Sequence, residues 1–246
     1  MRTDVASLQY EVGEWEEAIG AAEEILEWSE ATGGAQVGVG AAMAKAQVLA
    51  ARGAVREAAD MTGRFLPVVR QIADPQLLVP ALLIAASVER ARGNLHVGAD
   101  LVREFIALTA DLPMYRLFDV PGAVRTLLDA GDREAAERMV EGQDSQTLRE
   151  RCSFLTAQAI LAETRGDAEA GLELYDEADG LWARQGYVLR GGETLLGAGR
   201  CLLALGRPEE ATARLRGARE VFADLGAGPL AAEADALLQR ATGTGA

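Results

Sequence analysis

The chain has 246 residues, of which 49% are apolar and 5% aromatic, and a formal net charge of −14. That apolar share supports a continuous core and excludes a disordered chain, while scarce aromatics and abundant alanine favour packed helices over a sheet core. The negative field repels phosphate backbones and anionic lipid surfaces, so neither nucleic acid nor a membrane is expected as a direct partner.

The first 34 residues hold nine acidic side chains against Arg2 alone, and no apolar signal core precedes Glu17. Beyond Gly13, the residues Trp15, Ala18, Ile19, Ala22 and Leu26 fall three or four apart, with Glu16, Glu23, Glu27 and Glu30 elsewhere, which predicts an amphipathic helix. A second helix holds the small residues Gly38 to Ala42 and stops at Ala51-Arg52-Gly53. Asp74 before Pro75 is a helix-start signal. The apolar run that follows, Leu77 to Val88, contains Pro80 and is too short to span a membrane. Ala91-Arg92-Gly93 makes the next stop. Residues 111–124, with Leu112-Pro113 and Val120-Pro121, interrupt the pattern and predict a bend or irregular connection, the one expected subdomain boundary in a single domain spanning 1–246. Further on come a stop at Gly131 and a weaker start at Ser145 before Gln146. Stripes then return as Gly171, Leu174, Tyr175, Ala178 and Trp182, and as Ala211, Leu215, Ala218, Phe222 and Leu225. Pro208 suits a first helical turn, and a capping helix is expected from Leu230 to Arg240. No long segment alternates with period two, so no strand is predicted.

A turn glycine followed five positions later by alanine or glycine recurs along the chain: Gly13 with Ala18, Gly53 with Ala58, Gly93 with Gly98, Gly131 with Ala136, Gly166 with Gly171, Gly206 with Ala211. The glycines are 40, 40, 38, 35 and 40 residues apart. With the turn glycine taken as the fifteenth position of a unit, Ala159, Gly171, Tyr175 and Ala178 fall at the eighth, twentieth, twenty-fourth and twenty-seventh, and Gly199, Ala211, Leu215 and Ala218 repeat them. Earlier units keep the small pair as Ala46 with Ala58 and Ala86 with Gly98 but lack the aromatic. The pattern resembles the tetratricopeptide repeat, a helix-turn-helix unit. The early tryptophan of that family is missing and the period is longer. The likeness is therefore to the long-period arrays in C-terminal regions of bacterial signalling ATPases, LuxR-type regulators and cyclase-linked proteins. It implies an all-α fold, a right-handed superhelix of about six hairpins with a truncated first helix and a C-terminal cap, stacked as one cooperative array.

Candidate chemistry is sparse. Gly38-Val39-Gly40 begins like a phosphate loop but follows no strand, and it reads as small residues in a tightly packed helix, as does Gly197-Ala198-Gly199. His96, the single histidine, has no second metal ligand beside it and reads as structural. Cys152 and Cys201 read as small buried residues. The acidic N-terminal stretch is read as a solvated helix face, with an arginine-rich or lysine-rich partner as the functional alternative. The resemblance further implies ligand contact from a concave groove lined by the first helix of each unit, at Met43, Gln47, Leu83, Ser87, Arg90, Arg125, Thr156, Ile160, Glu163, Leu196 and Arg200. Arginines there would clamp a carboxylate or pair with intramolecular glutamates. The expectation is a cytoplasmic, non-catalytic module of a bacterial signalling or transcription-control system that holds a protein or peptide, with no cofactor and no metal. An architectural array that forms homo-oligomers or links domains, and an α-helical enzyme, stand as alternatives.

Overall fold

A computed structural model describes residues 8–33, 35–112, 115, 119–141, 145 and 147–243. Helical residues 8–12 (α1) precede α2 (Trp15–Thr32), α3 (Ala35–Arg52), α4 (Val55–Ile72), α5 (Pro75–Ala91), α6 (Leu95–Thr109), α7 (Val120–Asp129) and α8 (Arg133–Val140). Then come α9 (Leu148–Arg165), α10 (Ala168–Gln185), α11 (Val188–Ala204), α12 (Pro208–Leu225) and α13 (Gly228–Gly243). No strand occurs among the described residues. The helices gather into two compact units, Met1–Ala136 and Glu137–Ala246, and the division falls within α8.

The turns are made by residues that accept a left-handed backbone. Gly13, Gly53, Gly93, Gly131, Gly166 and Gly206 all have φ between 70° and 88°, as read from the repeat. Gly33, Gly186 and Gly226 take φ between 69° and 77° between hairpins. Ala73, at the end of α4, takes φ 55° without being glycine, at a cost of roughly 1–2 kcal/mol for its Cβ. Side chains cap some of the starts, those of α5, α9 and α10 among them. The Asp74 side chain accepts from the Gln76 amide at 2.9 Å, with Pro75 in the first turn. At α9 the cap is Thr147, two residues beyond the expected Ser145, because Thr147 and Glu150 exchange reciprocal hydrogen bonds in a capping box. Gln146 lies outside the described residues, as do Pro113 and most of 113–118; α6 ends at Thr109 and α7 begins at Val120 with Pro121 in its first turn.

Packing follows the small pairs. A Cβ on Gly98 would lie 3.1 Å from the Ala86 carbonyl, and one on Gly171 would lie 3.0 Å from Cys201 Sγ and 3.6 Å from the Ala159 carbonyl. First and second helices therefore meet nearly backbone to backbone, and the large side chains fill the space on either side. Trp15, Phe105, Tyr175, Trp182 and Phe222 are all fully buried. On α2 Trp15, Ala18 and Ala22 of the expected stripe are buried, while at its end Ile25 is buried in place of Leu26, which packs against the same cluster. The stripe on α12 is buried as read. The C-terminal cap runs from Gly228 to Gly243, longer than the expected Leu230 to Arg240, because Ala227 and Gly228 continue the chain directly into helix after Gly226.

Candidate functional site

In each unit the first helices of successive hairpins touch one another, α3 with α5 and α5 with α7 in one, α9 with α11 and α11 with α13 in the other. No contact of that extent joins second helices among the described residues. The first helices thus form a row along one side of each unit. The middle members are buried nearly all round, α5 from Leu78 to Val88 being the clearest case.

The sequence-derived groove residues separate by depth. In the first unit Met43 and Leu83 are buried, while Gln47, Ser87, Arg90 and Arg125 are half-buried. The Ser87 hydroxyl donates to the Ile84 carbonyl at 2.8 Å, and Arg90 reaches Asp129 of α7 at 3.2 Å. In the second unit Thr156, Ile160 and Leu196 are core residues. The Thr156 hydroxyl accepts from Trp182 Nε1 at 3.0 Å and donates to the Cys152 carbonyl at 2.9 Å, so its bonding capacity is used inside the hairpin. Glu163 and Arg200 are brought together as an ion pair with side chains only 21% and 19% exposed.

This pair belongs to a four-residue cluster. The Tyr175 hydroxyl donates to Glu163 at 2.7 Å, and Arg200 Nη1 donates to Glu233 of α13 at 2.8 Å, so one guanidinium ties α9, α11 and α13 together. Burial would push the Arg200 guanidinium down, but hydrogen bonding and charge from Glu163, with Tyr175 and Glu233, hold it above its ordinary value. The neighbouring Cys201 thiol is pushed up to about 12 by burial and by the Glu163 charge, against a smaller opposing effect of Arg200. Burial also raises Cys152, whose sulfur accepts from Gln185 Nε2 at 3.0 Å. Both thiols are held as neutral core groups, the opposite of what a nucleophile needs. His96 is exposed on α6, and no group of three or more His, Cys, Asp or Glu suited to a metal occurs among the described residues.

Compared by sequence, the chain matches no family model and no curated protein. Solved structures do match. BtubC (BKLC) from P. vanneervenii superposes with a TM-score of 0.54 at 16% identity, covering 85% of this chain and 91% of its own. The apo form of RapI gives 0.53 at 10% identity, covering 99% of this chain and 70% of its own. Both are tetratricopeptide-like repeat proteins. A Podosopora anserina kinesin light chain with nearly identical TPR-like repeats gives 0.40 at 14% identity, over 89% and 92% of the two chains.

The fold is that of a tetratricopeptide-like helical array.

Within this array, sequence reading missed Glu233 and the Tyr175 hydroxyl. Glu233 stands 40 residues after Glu193, the same step that separates most turn glycines, so extending the period once more into the cap would have reached it. A cleft of about 440 Å³ on the second-helix side of the first unit was also missed. It has Thr62, Leu66, Pro67 and Val97 among its lining, with the Arg70–Glu104 and Arg92–Glu89 pairs at its edge. Pro67, inside α4, supplies no amide hydrogen, so the Gly63 carbonyl beside it lacks its usual helical donor. An interior proline four residues after a glycine was the available signal.

Proposed function

We propose that the chain is a non-catalytic scaffold that holds a protein or peptide against the row of first helices, as a module of a bacterial signalling or transcription-control system. The supporting observation is the row itself: in the first unit Gln47, Ser87, Arg90 and Arg125 sit half-buried on α3, α5 and α7, polar groups spread over successive first helices. Such a row suits an extended or helical segment, which gains from several weak contacts at once, better than it suits a small substrate that needs an enclosed site. The groove arginines enter this reading in a changed form. Arg90 and Arg200 already pair with Asp129, Glu163 and Glu233, so a partner carboxylate binds by exchanging with the outer carboxylate, Asp129 or Glu233, whose side chains are 48% and 45% exposed.

Photo-crosslinking residues placed singly at Gln47 and Ser87, and at Arg56 and Glu220 on exposed second-helix positions, test the reading in cytosol of the source cell. Adducts with one discrete protein from the first pair and not the second are expected. Equal labelling from both pairs would remove the row of first helices as the binding surface.

A further inference from the structure

A tryptophan on the outer face of α2 stands apart from the row of first helices and from the packing of the array. Trp15 and Trp182 are each 2% exposed, whereas Trp28 is 54% exposed. Its helix carries no cation between Trp15 and Thr32. On a helical projection Glu17, Ala21 and Glu24 lie within about 40° of Trp28, and Ala31, Gly20 and Glu27 follow on one side, roughly 60°, 80° and 100° round. Ala21 and Ala31 bring only methyl groups to this stripe, and a Cβ on Gly20 would meet nothing within 4 Å. The two cations that α3 supplies to α2, Lys45 and Arg52, are taken by Glu23 and Glu16, each at 2.6 Å. Glu17, Glu24 and Glu27 are exposed and have no partner among the described residues.

An aromatic ring set among unpaired carboxylates is chemically selective. A second copy of this chain would bring carboxylates against carboxylates, and phosphate-bearing surfaces are repelled in the same way. A guanidinium fits both halves of the surface, since its flat face stacks on an indole while its edge donates to carboxylates. We propose that the Trp28 face of α2, with Glu17, Glu24 and Glu27, is a docking surface for an arginine-rich segment of a partner protein. From Glu17 to Trp28 the face runs roughly 16 Å along the helix, long enough for two or three arginines of an extended segment. This surface is independent of the row of first helices and survives if that row binds nothing.

Anisotropy of fluorescein-labelled nona-arginine, titrated with the full chain, tests the proposal against nona-lysine and against variants. Nona-arginine binds more tightly than nona-lysine, and Trp28→Ala weakens nona-arginine by about fivefold while bringing the two peptides closer together. The double variant Glu24→Gln, Glu27→Gln also weakens binding and flattens its dependence on salt. Glu209→Gln with Glu220→Gln on α12, also exposed and removing the same charge, leaves affinity unchanged. Circular dichroism checks that each variant keeps its helix content, as exposed substitutions should. The proposal is overturned if the wild-type chain does not bind nona-arginine, if Trp28→Ala binds as the wild type does, or if the α12 control loses as much as the α2 variant.

Discussion

Gly197 on α11 faces the ring of Tyr175 on α10, and Gly197→Ala probes how closely the two helices interlock. A Cβ at that position would lie 2.6 Å from both Cε atoms of the ring and nearer still to Cζ. Carbon atoms in contact prefer about 3.5 Å or more, so ring or helix must move by about 1 Å. The ring has nowhere to go, being 0% exposed with its hydroxyl bound to Glu163 at 2.7 Å. Overpacking costs about 1–3 kcal/mol, and losing a hydrogen bond to a charged group about 1.5–3 kcal/mol. Alanine's better helix propensity returns about 1 kcal/mol, which leaves a net loss of about 3 kcal/mol. Urea unfolding followed by circular dichroism measures it. Gly180→Ala on α10 is the matched control: a Cβ there meets nothing within 4 Å, so the same exchange should stabilise by about 0.5–1 kcal/mol. Adding Tyr175→Leu to Gly197→Ala should recover part of the loss. Were Gly197→Ala to unfold at the same midpoint as Gly180→Ala, the interlock would be refuted.

Ala73→Gly relieves a Cβ held at φ 55° and should raise stability by about 0.5–1 kcal/mol in the same assay, the relief exceeding the added freedom of the unfolded chain. Glu163→Gln removes the charge that binds Arg200 and should cost about 2 kcal/mol, and Tyr175→Phe about 1.5–3 kcal/mol, both read from urea midpoints. Cys201 should resist a thiol reagent in the folded chain and react once urea unfolds it. Its folded value of about 12 stands above the ordinary 9.0, so between those values the unfolded chain gives up the thiol proton first and stability falls as pH rises. Cys201→Ala should flatten that alkaline decline in a series of urea titrations across pH.

The hairpin architecture was legible because its signals are local and backbone-driven. A turn that must take positive φ selects glycine at Gly53, Gly93 or Gly166, and a close crossing selects the small residues Ala86 and Gly98, so both can be read from spacing alone. Depth on the inner helices was not legible. Thr156, Ile160 and Leu196 occupy spacings that line the concave groove in a standard unit, yet they are core here. Their depth is set by how closely α9 and α11 approach, which depends on pairs distant in sequence such as Trp182 with Thr156. The same holds for Arg200. Its residue type announces a charge, but only the arrival of Glu163 and Glu233 from helices on either side determines that the charge is already neutralised. On α2, exposure of Trp28 reversed the usual expectation for an aromatic, and the small residues at 20, 21 and 31 were the available hint.

Among the described residues, the extensive contacts within each unit join helices that are adjacent or next but one along the chain. Such proximity keeps the entropy lost in closing loops small and places the array with fast-folding helical proteins. A nascent hairpin can find its neighbour as soon as some 40 further residues have left the ribosome, without waiting for a distant strand or terminus to be synthesised.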